Sequence, residues 1–89
     1  MEKVDYEGLS EIFKALANPT RLRILVGLLE DDCNVKKIVE RLELPQSTVS
    51  QQLSVLRNRR IIKGRRKGAK ICYKFTDKRV REILGVALR

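Results

Sequence analysis

VKKIVERLELPQSTVSQQLSVLRNRRIIKGRRKGAKICYKF, residues 35–75, interrupts its hydrophobic period once and then changes it once. Val35, Ile38, Val39 and Leu42 recur on one face of a helix, which Glu43-Leu44-Pro45 interrupts because proline disfavours helical geometry in the residue before it. A second helical pattern restarts at once, with Val49, Leu53 and Leu56 facing inward. Beyond Arg60 the period falls to two. Ile71, Tyr73 and Phe75 alternate with Lys70, Cys72 and Lys74, and Lys67-Gly68-Ala69 offers a turn between strands at 61–66 and 70–75.

The flanks complete the pattern. Leu9, Ile12, Phe13 and Leu16 place a first helix at about Tyr6 to Ala17. Asn18-Pro19 starts a second, with Asn as N-cap and Pro at the first helical position, where a missing amide proton costs little. That helix continues through Leu22, Ile24, Leu25, Leu28 and Leu29. The acidic run Glu30-Asp31-Asp32 closes it and opens the third, since carboxylates interact favourably with a helix N-terminus. Thr76-Asp77 caps a last helix whose apolar set is Val80, Ile83, Leu84, Ala87 and Leu88. The fold class is therefore mainly α with a β-hairpin wing, in the order α-α-α-α-β-β-α: a winged helix-turn-helix occupying residues 1–89 as a single domain. A chain of 89 residues leaves a large share of its surface exposed, which favours pairing.

Charge is segregated along the chain. Residues 1–34 hold seven acids and four bases, net −3, whereas residues 57–81 hold twelve bases and one acid, Asp77, net +11, within an overall +9. A charge excess that served only solubility would be mixed in sign and scattered, so this distribution points to a polyanion. The second helix of the helix-turn-helix carries Gln46, Ser47, Thr48, Ser50, Gln51 and Gln52 in its first two turns, and no carboxylate stands between Gln46 and Asn58. Gln pairs in bidentate fashion with adenine, and Ser and Thr serve several bases, so Gln46, Ser47, Ser50 and Gln51 are the expected base readers. Thr48, Arg57, Arg59, Arg60, Lys63, Arg65, Arg66, Lys67 and Lys70 are expected on the DNA backbone. The plainer alternatives are a merely solvated Ser/Gln face, a basic surface without a ligand, and attachment to acidic lipid. Solvated helices more often use Glu and Lys, and lipid surfaces favour a long basic amphipathic helix over a hairpin.

Other classes are poorly supported. There is no histidine, which removes imidazole metal sites, His-based acid/base chemistry and Ser/His or Cys/His nucleophile pairs, so neither an enzyme nor a cofactor or metal is expected. No apolar run approaches the roughly 20 residues a membrane helix needs. MEKVDYEGLSEIF lacks the basic and apolar regions of a secretory signal, so a cytoplasmic location is expected, with Cys33 and Cys72 as reduced thiols. A winged helix serving as a protein-interaction module is the alternative function, although it would suit an uncharged wing better than this one.

LANPTRLRIL at 16–25, LPQSTVSQQLSVLR at 44–57 and RRKGAKICYKF at 65–75 resemble the signature blocks of the ArsR/SmtB family of small prokaryotic repressors, a likeness running roughly from Leu9 to Leu88. The resemblance implies a winged-helix homodimer joined by its first and last helices through Leu9, Ile12, Phe13, Ile83, Leu84 and Ala87. It also implies a palindromic double-stranded DNA operator, released when a small-molecule or reactive-sulfur effector binds. The cysteine pair of the family's metal sensors falls on Asn34 and Lys36, neither of which has sulfur, and residues 77–89 lack the family's alternative Asp/His site. Cys33 stands where the sulfide- and persulfide-responsive subgroup places a reactive cysteine, making it the candidate thiol sensor. A helix N-terminus would lower its pKa while Asp31 and Asp32 oppose that effect. The subgroup's second cysteine, late in the last helix, is absent. Cys72 is read as structural, facing away from Tyr73 and Phe75 on its strand.

Overall fold

In the computed structural model, which describes residues 3–33 and 35–89, five helices and one hairpin follow the expected order. They are α1 (Tyr6–Leu16), α2 (Pro19–Glu30), α3 (Val35–Leu42), α4 (Gln46–Asn58), β1 (Ile62–Lys67), β2 (Lys70–Phe75) and α5 (Lys78–Ala87). Side-chain caps set several starts. Asp5 Oδ1 accepts from Gly8 N at 3.0 Å, Asn18 Oδ1 from Arg21 N at 3.1 Å, and Asp77 Oδ1 from Arg79 N at 3.0 Å. Asp77 alone caps α5, while the Thr76 hydroxyl donates to Arg60 O at 2.5 Å and ties the residue after β2 to the turn between α4 and β1. The acidic run divides its roles: Asp31 caps the C-terminus of α2 and its carboxylate accepts from Cys33 N at 3.1 Å.

One apolar cluster joins all five helices and the hairpin. Ile24, Leu25, Val49, Leu56, Ile61 and Val80 are its largest fully buried side chains, each stabilising the fold by about 1.5–3 kcal/mol on burial. Gly27 permits a close approach of α2 and α3, since a Cβ there would lie 3.0 Å from Ile38 Cγ1. Within α3 only Ile38 is buried; Val35, Val39 and Leu42 pack half-buried against the cluster.

Helix α4 ends where the wing begins. Arg60 N donates to Arg57 O (2.9 Å) and Ile61 N to Leu56 O (3.0 Å), the paired bonds of a Schellman turn, with Arg60 at φ 58°. This turn shifts the first strand one residue beyond the expected 61–66, because Ile61 N is spent on the helix end and its side chain is fully buried. The hairpin register runs from Ile62↔Phe75 to Lys67↔Lys70, leaving a two-residue loop, Gly68-Ala69. Gly68 at φ 63° meets the demand of such a loop for a positive φ at its first position.

The expectation of reduced thiols is overturned: Cys33 and Cys72 form a disulfide, with Cα atoms 4.0 Å apart. Strand alternation does turn Cys72 away from the core cluster to which Tyr73 belongs. That side, however, faces the α2–α3 turn, where Tyr73 N donates to Asp32 O at 2.8 Å, and not solvent. A pairing across 39 positions is invisible to local pattern because the tertiary fold alone brings the two segments together.

Candidate nucleic-acid interface

Helix α4 buries Val49, Leu53 and Leu56 and thereby turns Gln46, Ser47, Ser50 and Gln51 to solvent. Thr48 and Gln52 are half-buried on its flanks. Gln52 Oε1 accepts from Arg21 Nη1 at 3.0 Å, so this glutamine orients the helix and stands apart from the four expected readers. Pro45 stands at the N-cap and supplies no side-chain cap bond. The first turn also lacks an acid, so the amide protons and the positive end of the helix dipole there meet no carboxylate from their own first turn.

The wing adds a concentrated cationic surface. Only Ile62 of β1 is buried; Lys63, Arg65, Arg66 and Lys67 are exposed, as is Lys70 across the loop. Lys63 faces Lys74 and Lys67 faces Lys70 in the register, like charges set directly opposite one another in a segment without a single carboxylate. Such pairs weaken a hairpin unless an anion lies against it. Lys74 is a cation that the sequence reading left out, and the position directly opposite Lys63 is what brings it into this surface.

The arginines at the end of α4 are differently disposed. Arg57 Nη2 donates to Ser54 Oγ at 2.9 Å along the helix, leaving the group exposed. Arg60 is exposed at the Schellman turn. Arg59 is paired with Glu11 of α1, and this guanidinium, with the Lys14 ammonium as a further cause, holds the Glu11 carboxyl below the usual range. Arg59 therefore ties α4 to α1 as well as adding positive charge.

The residues expected at an interhelical interface divide into two groups. Ile12, 8% exposed, and Leu84, 3% exposed, belong to the chain's own core, so their burial needs no second copy. Leu9 and Ile83 are half-buried, and Phe13 and Ala87 are exposed. Tyr6, Phe13, Val86 and Leu88 remain between 50% and 74% exposed. Tyr6 and Phe13 are seven residues apart on α1, a spacing that marks one helix face and that the sequence reading passed over.

No group of three or more metal-ligating side chains occurs among the described residues. Lys36 is exposed on α3; Asn34, the other position aligned with a family metal site, lies outside the described residues. No helix among the described residues is long and apolar enough to cross a membrane.

A braced helix presenting uncharged polar side chains beside a basic hairpin defines a winged helix-turn-helix DNA-binding protein. Residues 18–63 match the family described as "Bacterial regulatory protein, arsR family". An uncharacterized HTH-type transcriptional regulator of Methanocaldococcus jannaschii, MJ1325, is 45% identical over 85 residues, spanning 94% of this chain and 93% of that one. The transcriptional repressor PagR of Bacillus anthracis is 37% identical over 86 residues, covering 92% and 86% of the two chains. Among solved structures, HlyU from Vibrio cholerae superposes with a TM-score of 0.86 at 32% identity, over 98% of this chain and 94% of that one. The chain belongs to the arsR family of DNA-binding transcriptional repressors, and it is a regulator, not an enzyme.

Proposed function

We propose that the chain works as a homodimer, setting two copies of α4 into successive major grooves of a palindromic operator while each wing follows the adjacent backbone. Gln46, Ser47, Ser50 and Gln51 read base edges, and Arg57, Arg60, Lys63, Arg65, Arg66, Lys67, Lys70 and Lys74 set affinity and register. Thr48 is half-buried and reaches the backbone only at the rim of α4, and Arg59 contributes its charge from within the Glu11 pair. The two copies meet through Leu9, Phe13, Ile83 and Ala87, joined by Tyr6, Val86 and Leu88. A small molecule or reactive sulfur species acting at Cys33 releases the operator.

The observation that carries this reading is the acid-free run from Leu44 to Thr76, which contains both the exposed face of α4 and a hairpin with facing lysines. A mobility-shift titration on the DNA upstream of the protein's own gene tests it. Binding is expected to weaken by roughly 10³-fold or more between 50 and 200 mM salt, as several released counterions require. Salt-insensitive binding, or binding unchanged by Arg65→Ala with Arg66→Ala, would rule the interface out.

A further inference from the structure

Gln52 of α4 and Arg59 at its C-cap stand seven residues apart, close to two helical turns, so both side chains leave the same flank of the reader helix. Each is tied to α1. Gln52 accepts from Arg21, whose guanidinium also donates to Lys14 O and Ala15 O, and Arg59 pairs with Glu11. Lys14 belongs to both ties, since its carbonyl accepts from Arg21 and its ammonium lies 3.3 Å from Glu11 Oε1. Glu11, Lys14 and Ala15 are three and four residues apart, on one face of α1. Phe13, exposed together with Tyr6, projects about 200° around the helix from Glu11. The backbone beneath Arg59 is fixed as well: its amide donates to Val55 O at 3.1 Å, and the carbonyl of the next residue, Arg60, is held by the Thr76 hydroxyl.

We propose that Glu11 is a positioning residue for operator reading: acting through Arg59, it locks the axial rotation of α4 to α1 and so sets the half-site spacing that two joined copies accept. Arg59 on this account serves α1 in place of a phosphate. One base pair inserted between two half-sites turns the second by about 35° relative to the first. A reader helix tied at both Gln52 and Arg59 cannot follow that turn. A helix tied at Gln52 alone can swivel about its single remaining bond.

The side chains of Arg59 and Glu11 are 39% and 52% exposed, so water screens the pair and its removal leaves the fold intact. An exposed pair of this kind changes an equilibrium by about threefold, and a dimer contains it twice, which gives about tenfold in discrimination between spacings. The spacing consequence rests on the homodimer and interface reading above; the tie between α1 and α4 does not.

Affinity for the operator is compared with affinity for the same operator lengthened by one base pair between its half-sites, at a concentration where sedimentation gives a dimer. In Glu11→Gln the preference for the native spacing is expected to fall about tenfold with the salt slope unchanged. Glu11→Arg combined with Arg59→Glu rebuilds the pair with its ends exchanged and should restore the preference. If Arg59 were instead a phosphate contact withheld by Glu11, Glu11→Gln would bind more tightly with a slope steeper by about one unit, and the exchanged pair would bind poorly because it turns a carboxylate toward DNA. That result, or an unaltered preference in Glu11→Gln, would overturn the proposal. Hydrogen exchange on the free protein tests the tie without DNA: the amides of the last turn of α4 are expected to exchange about threefold faster in Glu11→Gln and at the parent rate in the exchanged pair. Equal rates in all three would refute the tie, whereas failure of every form to bind DNA would strike the interface reading and leave the exchange rates to decide the role of Glu11.

Discussion

Arg21 of α2 and Gln52 of α4 are joined by a 3.0 Å hydrogen bond, and the same guanidinium donates through Nε to Ala15 O at 2.7 Å and through Nη2 to Lys14 O at 3.3 Å. One side chain thus satisfies carbonyls at the C-terminal end of α1 and fixes the rotation of the reader helix. Arg21→Ala should cost about 1.5–3 kcal/mol in urea denaturation, because it removes charge-assisted bonds at a partly buried site. Arg21→Lys should recover only part of that, since an ammonium cannot reproduce the planar fork. Full stability in the alanine variant would show that α4 is held by apolar packing alone.

Base reading and backbone contact should separate in binding titrations. Gln46→Ala is expected to lose about 1–3 kcal/mol of discrimination between the operator and a variant at the contacted base pair. Its salt slope should not change. Lys63→Ala is expected to weaken binding uniformly across sequences and to lower the slope by about one unit. Swapped signatures would mean that the roles of helix and wing are exchanged.

Dimerisation can be probed at Phe13, which is exposed in the single chain and therefore replaceable without opening the core. Phe13→Glu should shift sedimentation toward monomer and abolish cooperative occupation of two half-sites while circular dichroism remains unchanged. A dimer persisting at micromolar concentration would place the interface elsewhere.

The Asp77 carboxyl lies below the ordinary aspartate range, first because the Arg79 side chain bonds it and further because Arg79 N does so; the same pair raises Arg79. With the folded pKa depressed, the stabilisation is complete above the unfolded value and disappears as pH falls through the lower, folded one. Asp77→Ala should therefore cost about 0.5–2 kcal/mol at neutral pH. The gap between variant and parent should close in strong acid. A gap that stays constant down to that range would assign the loss to something other than the ionised cap.

Arg60 adopts a left-handed conformation, at φ 58°, that costs a residue with a Cβ about 1–2 kcal/mol. Arg60→Gly should raise the melting temperature and lower DNA affinity together, since it relieves backbone strain while deleting an exposed cation. A variant that gained stability without losing affinity would remove Arg60 from the backbone contacts.

Element order, the inward face of α4, the caps at Asn18 and Asp77, and the polarity of the charge were legible in the chain because each depends on spacings of a few residues: 3.6-residue periodicity, alternation, and short capping side chains. The exposed polar face of α4 follows from the same spacing, since burying Val49 and Leu53 leaves Gln46, Ser47, Ser50 and Gln51 no other side. Tertiary structure decided what joins distant segments. It consigned Ile12 and Leu84 to the chain's own core, withdrew Gln52 toward Arg21, engaged Arg59 with Glu11 and closed Cys33 onto Cys72. Local periodicity fixes which face of an element is apolar, but only packing in three dimensions determines which neighbour covers it and which polar groups meet there.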